Sequence, residues 1–213
     1  MTMDMIREIP GPVGPLEARL DLPDGAPRAV AVFAHPHPQY GGTMHTKALY
    51  QAAKAATRIG AAALRFNFRG VGLSAGSFDE GQGEKDDFEA AVRFAEERFP
   101  GLPIWAAGMS FGSWVALRVG AAHPLVSVLL AIAPPVGIYS YDEVKASNKP
   151  IFLIHGEEDE VASVKLVRKL YGELAEPKEL VVIEGADHVF DGMTSLVADA
   201  VEDLLGDFET GVA

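Results

Sequence analysis

Residues 103–123 read PIWAAGMSFGSWVALRVGAAH. PIWAAG (103–108) has the composition of a buried strand, and FGSWVALRVGAAH (111–123) reads as a helix. Where they join, GMSFG (108–112) satisfies the pattern G-x-S-x-G. A strand that turns directly into a helix makes a sharp, strained corner, which leaves the Ser110 hydroxyl proud of the sheet. Neighbouring chain passes close by, so the positions two before and two after the serine must be small, and Gly108 and Gly112 meet that demand. GLSAG (72–76) also satisfies the pattern, but SFDEGQGE follows it and no helix is expected until about Glu84. Ser74 is therefore expected in a flexible, glycine-rich turn that lets the backbone pass close to the site. Ser110 is the candidate nucleophile.

Outward from this corner, apolar strands alternate with helices. Strands are expected at 28–35, 61–68, 103–108, 126–133, 150–156 and 179–185. Helices are expected at 44–60 (with Thr43 as N-cap), 84–99, 111–123, 161–174 and about 194–205. The first 25 residues suggest two short strands around the GPVGP turn (11–15), within 4–22. The tail 207–213 is expected to fray. Such alternation predicts an α/β fold with a mainly parallel sheet covered by helices on both faces, and one domain over 1–213. In such sheets ligands bind beyond the carboxyl ends of the strands, so function is expected in the loops just after them.

Composition narrows the classes. At 213 residues, folding buries roughly 70% of the unfolded chain's surface, enough for a real core. There are no cysteines, which excludes disulfides, thiolate metal sites and a cysteine nucleophile. A net charge of −12 offers no basic face to nucleic acid. The apolar run VSVLLAIA (126–133) is too short to span a bilayer. MTMDMIREIP has no basic start followed by an apolar stretch, so a cytoplasmic protein without membrane association is expected.

A serine hydroxyl needs a base to take its proton and an acid to orient that base. Six histidines are available. His188, in EGADHVF, follows the strand ELVVIEG (179–185) and stands at the correct sheet edge, whereas His123 ends a helix and His155 suits a packing or hydrogen-bonding role. After PIFLIHG (150–156) come Glu157, Glu158, Asp159 and Glu160. Asp159, three residues beyond Gly156, is the favoured orienting carboxylate, while Glu160 suits an acidic helix start.

The chain order Ser110, Asp159, His188 resembles that of the α/β-hydrolase superfamily, and the resemblance covers nearly the whole chain. HPHPQYGGTMHTK (35–47) and FNFRGVGLSAGSFDEG (66–81) further resemble a compact, lidless bacterial subgroup of predicted hydrolases, some with carboxylesterase activity. That resemblance implies an α/β-hydrolase fold without a cap domain, since only 133–149 separates two strands where other members insert one. It also implies a serine carboxylesterase for small, accessible esters, working without a cofactor, with the segment around Ser74 non-catalytic. Thioester or peptide hydrolysis by the same three residues, and a non-catalytic binding protein, are the alternatives.

Two backbone N–H groups must face the developing oxyanion. Phe111, after the nucleophile, is one. For the other, Pro36 and Pro38 have no N–H. His37 comes first past the strand and occupies the position that donates in the family; Gln39 and Tyr40 are alternatives. Tyr40, Met109 and Phe190, with Tyr139 and Tyr141, are candidates for the substrate pocket. His35, His37 and His45 could in principle bind zinc, but no nearby carboxylate accompanies them, and no metal is expected.

Overall fold

The computed structural model describes residues 3–4, 6–206 and 208. Nine strands and six α-helices follow one another along the described residues: β1 (Met3–Asp4), β2 (Glu8–Ile9), β3 (Leu16–Asp21), β4 (Ala29–Ala34), α1 (Lys47–Arg58), β5 (Ala61–Phe66), α2 (Gln82–Arg98), β6 (Ile104–Met109), α3 (Phe111–Ala122), β7 (Val126–Ile132), α4 (Asp142–Lys145), β8 (Ile151–Gly156), α5 (Val164–Glu173), β9 (Lys178–Ile183) and α6 (Thr194–Leu205). The sheet runs β1-β3-β5-β4-β6-β7-β8-β9, and β2 also pairs with β3. From β5 to β9 every pairing is parallel, while β3 is antiparallel to β5.

The central strands are buried on both faces, which is why they read as unbroken apolar runs. Alternation sends Val30, Val32, Ile104 and Ala106 toward α2, α3 and α5. It sends Ala31, Phe33, Trp105, Ala107 and Met109 toward α1 and α6. The alanines of α1 (Ala48, Ala52, Ala55 and Ala56) let it lie close to α6. From β4 the chain goes by α1 to β5 on one side, then returns by α2 to β6 on the other side. The strand order therefore reverses at β4, and a crevice opens at the carboxyl ends of β4 and β6.

Two details differ from the sequence expectation. The N-terminal region holds three strands, because the long β3 pairs with β2 at one end and β1 at the other. Thr46, not Thr43, precedes the first turn of α1, since 43–46 form a separate turn in which Thr46 N–H donates to the Thr43 carbonyl. The expected tail lies outside the described residues except for residue 208. Between β7 and β8 the chain adds only the four-residue α4. Among the described residues no helix is long and apolar enough to cross a membrane.

Candidate active site

Ser110 stands between β6 and α3 with φ 51° and ψ −127°. A non-glycine residue in this region costs about 1–3 kcal/mol and persists only where its surroundings enforce it. The enforcement is visible. Ser110 N–H donates to the Ile132 carbonyl at 2.8 Å, and the two flanking glycines are pressed against other backbone. A Cβ on Gly112 would lie 2.3 Å from the His35 carbonyl oxygen, and one on Gly108 would lie 2.4 Å from the Gly112 carbonyl oxygen. The corner thus closes only with glycine at both places.

The loops after β8 and β9 bring two further side chains to this corner. His188 Nε2 lies 2.8 Å from Ser110 Oγ. Its Nδ1 lies 2.7 Å from Asp159 Oδ2. The carboxylate requires a proton on Nδ1, so Nε2 is left as the acceptor for the serine hydroxyl. Asp159 Oδ1 accepts the Val161 and Ala162 N–H groups, each at 2.8 Å. Burial pushes the Asp159 carboxyl up, but the His188 hydrogen bond, the Ala162 N–H and the neighbouring imidazoles outweigh it. The group is held below the usual carboxylate value.

Phe111 is the first residue of α3, so its N–H has no partner within the helix. His37 begins the 3₁₀ turn Pro38–Tyr40, and its ring packs against Tyr40, Phe78 and Phe111 at 4.8–4.9 Å between centroids. Among the described residues neither the Phe111 nor the His37 N–H has a hydrogen-bond acceptor. Both residues line a cleft of about 540 Å³ that also contains Pro36, Tyr40, Ser110, Pro135, Ile138, Tyr139, Val161, His188 and Val189.

A sequence model of the family described as serine aminopeptidase, S33 matches residues 25–147. The chain belongs to this family of α/β hydrolases. An α/β serine hydrolase homologue from Coxiella burnetii has the same fold with a TM-score of 0.90 and 34% identity, covering 96% of this chain and 99% of that one. An α/β serine hydrolase without lid from Xanthomonas campestris gives a TM-score of 0.88 and 34% identity, covering 95% and 93%. An uncharacterized protein of Rickettsia prowazekii is 35% identical over 204 residues, 92% of this chain and 86% of that protein.

The hydrolase departs from the sequence expectation in its pocket walls. Tyr40 lines the cleft and is 87% exposed. Met109 and Phe190 do not line it; both are fully buried on the α1–α6 side of the sheet. Met109 shares the strand parity of Trp105 and Ala107, so its side chain points away from the cleft. Phe190 adopts φ 57° in a turn organised by Asp187, whose carboxylate accepts the Val189 and Asp191 N–H groups. That turn buries Phe190 and exposes Val189. Tyr139 reaches the cleft by stacking on Trp114, at 4.4 Å between centroids, while Tyr141 is buried beside it. Ile138, Val161, Val189 and Pro135 are wall residues that the sequence did not single out.

The other serine and the histidine-rich loop have structural work. Ser74 is buried in this α/β hydrolase rather than loose: its hydroxyl donates to the Asn67 carbonyl at 2.7 Å and accepts the Glu17 N–H at 2.9 Å. His35 Nδ1 lies 2.6 Å from the Pro36 carbonyl oxygen, and its Nε2 accepts the Phe68 N–H. Both ring nitrogens are engaged, and burial lowers its pKa to about 4, so it is a neutral tie between two loops. Among the described residues no cluster of His, Asp and Glu is arranged to hold a metal ion.

Proposed function

We propose that the protein is a serine carboxylesterase for neutral, apolar esters that reach the site directly from water. The observation that carries this reading is the unbroken chain Ser110 Oγ–His188–Asp159 at 2.8 and 2.7 Å, opening into the cleft. His188 Nε2 takes the Ser110 proton as Oγ attacks the ester carbonyl. Asp159 orients the imidazole and stabilises the imidazolium. The unpaired Phe111 and His37 N–H groups receive the oxyanion. The tetrahedral intermediate collapses, and the alcohol leaves with the proton from His188. Water then gives a proton to His188 as it attacks the acyl-enzyme carbonyl, and the second tetrahedral intermediate collapses with that proton passing from His188 to Ser110 Oγ, which releases the acid. No cofactor enters these steps.

The cleft walls favour esters over peptides. Among the described residues its lining side chains include no carboxylate to hold an α-ammonium group, which an aminopeptidase would require, and no Lys or Arg to hold an anion. They are apolar apart from Ser110, His188, His37 and the phenols of Tyr40 and Tyr139, and Ile138, Val161 and Val189 are each about half exposed at the mouth. A steady-state panel tests this. Neutral p-nitrophenyl butyrate is expected to exceed the singly charged p-nitrophenyl succinate half-ester in kcat/KM by about tenfold or more, because the net charge of −12 repels the anion and no cation compensates. Preference for the charged ester would overturn this reading of the cleft, and turnover of aminoacyl peptides without ester turnover would replace it with a peptidase.

A further inference from the structure

His155 is the fifth residue of β8, fully buried, and plays no part in the steps above. A buried histidine in a strand could simply be filling space. Its contacts say otherwise. Nε2 lies 2.7 Å from the Ala162 carbonyl oxygen. A carbonyl oxygen only accepts, so Nε2 carries the hydrogen. Nδ1 is buried and has no partner among the described residues, which a lone pair tolerates far better than an N–H would. The ring is therefore neutral and in a single tautomer, and burial acts in the same direction by lowering its pKa.

That N–H sits at the closure of a small ring. Ala162 donates its own N–H to Asp159 Oδ1 and offers its carbonyl to His155. The same His155 Nε2 is 3.5 Å from Asp159 Oδ2, the oxygen that faces His188. At 3.5 Å this second approach is too long for a hydrogen bond; the N–H is committed to the Ala162 carbonyl, and the ring simply packs against that carboxylate. Asp159 is thus bonded at both oxygens, Oδ1 by the turn at 161–162 and Oδ2 by His188, and His155 reaches it through the Ala162 carbonyl.

We propose that His155 is a positioning residue for the hydrolytic reaction, fixing the Asp159 loop through the Ala162 carbonyl so that Oδ2 faces His188. This inference rests on the reading of Ser110, His188 and Asp159 given above. It predicts an atom-specific rescue. The side-chain nitrogen of glutamine can take the place of histidine Nε2, whereas that of asparagine falls at the Nδ1 position, where nothing accepts.

The test uses the full chain, with ester hydrolysis, labelling of Ser110 by a fluorophosphonate and thermal melting measured on wild type, His155→Gln and His155→Asn. His155→Gln is expected to keep kcat within about threefold. His155→Asn is expected to lower kcat and the labelling rate together by about 10- to 100-fold with KM little changed, the range for groups that orient a reactive centre at one remove. Equal activity of the two variants at equal melting temperature would overturn the proposal, as would a loss that follows melting temperature alone. A wild-type readout stands beside these in case His155→Asn does not fold: ¹⁵N-histidine NMR should show His155 neutral and protonated at Nε2, and protonation at Nδ1 would equally overturn it. Absence of labelling in wild type would instead strike at the triad reading itself, and labelling with no Gln–Asn difference strikes only at His155.

Discussion

Replacing Ser110 by alanine is expected to abolish fluorophosphonate labelling and to lower kcat for ester hydrolysis by on the order of 10⁴-fold or more. The fold should persist. Alanine removes one hydroxyl whose hydrogen bond is to His188 at the cleft, and the backbone bonds of the corner, including Ser110 N–H to Ile132, remain. Ser74→Ala should do the reverse. It strips the Glu17 N–H and the Asn67 carbonyl of their shared partner in a buried loop, a loss of about 1–3 kcal/mol in stability. Its labelling and turnover should stay near wild type. Intact-mass and peptide mapping of the three proteins side by side reads both effects. An adduct on Ser74, or turnover that survives Ser110→Ala, would overturn the assignment, and the second outcome would favour a non-catalytic binding role for the cleft.

The two serines illustrate what can be read from this chain without coordinates. Both satisfy one short pattern, and only the element context separates them. Strand and helix periodicity at 103–123 puts Ser110 on a corner, and the rule that loops after parallel strands converge leads to His188 and Asp159, which do come together in space. The cleft walls follow no such rule. Val161 and Val189 are turned outward because Asp159 and Asp187 each bind the backbone N–H two residues on. Tyr139 is placed by a stack on Trp114, 25 residues away in the chain. Met109 is a different case. Adjacency to Ser110 suggested a pocket residue, yet strand parity with Trp105 and Ala107 already put it on the opposite face. Thr43 and Thr46 show the limit for helix ends: either threonine can cap, and only the turn preceding α1 decides.

The largest expected loss of stability lies beside the site rather than in it. Asp87, fully buried on α2, accepts from Arg69 Nε at 3.0 Å, Nη2 at 2.8 Å and the Arg69 backbone N–H at 2.9 Å. The Arg69 side chain is only 8% exposed, so Asp87→Ala leaves the Arg69 amide N–H without its acceptor and the buried guanidinium with only the exposed Asp79 carboxylate, 4.0 Å from Nη1, as a charged partner. Breaking one partner out of a buried pair costs about 3–5 kcal/mol, and at this chain length the melting temperature should fall by on the order of 10 °C. The cost belongs to the stranded charge more than to the lost attraction. A double replacement, Arg69→Met with Asp87→Leu, should therefore recover much of it, leaving mainly the unpaired N–H. Activity should suffer in the single variant as well. The loop that Arg69 anchors carries Phe78, whose ring lies 4.9 Å from that of His37 and so backs the turn that presents the His37 N–H to the cleft. Melting curves and kcat on the three variants Asp87→Ala, Arg69→Met and the pair would check this. A loss under about 1 kcal/mol for Asp87→Ala, in the range of an exposed pair, would mean that Arg69 reaches water once released and that the loop is not anchored by this pair.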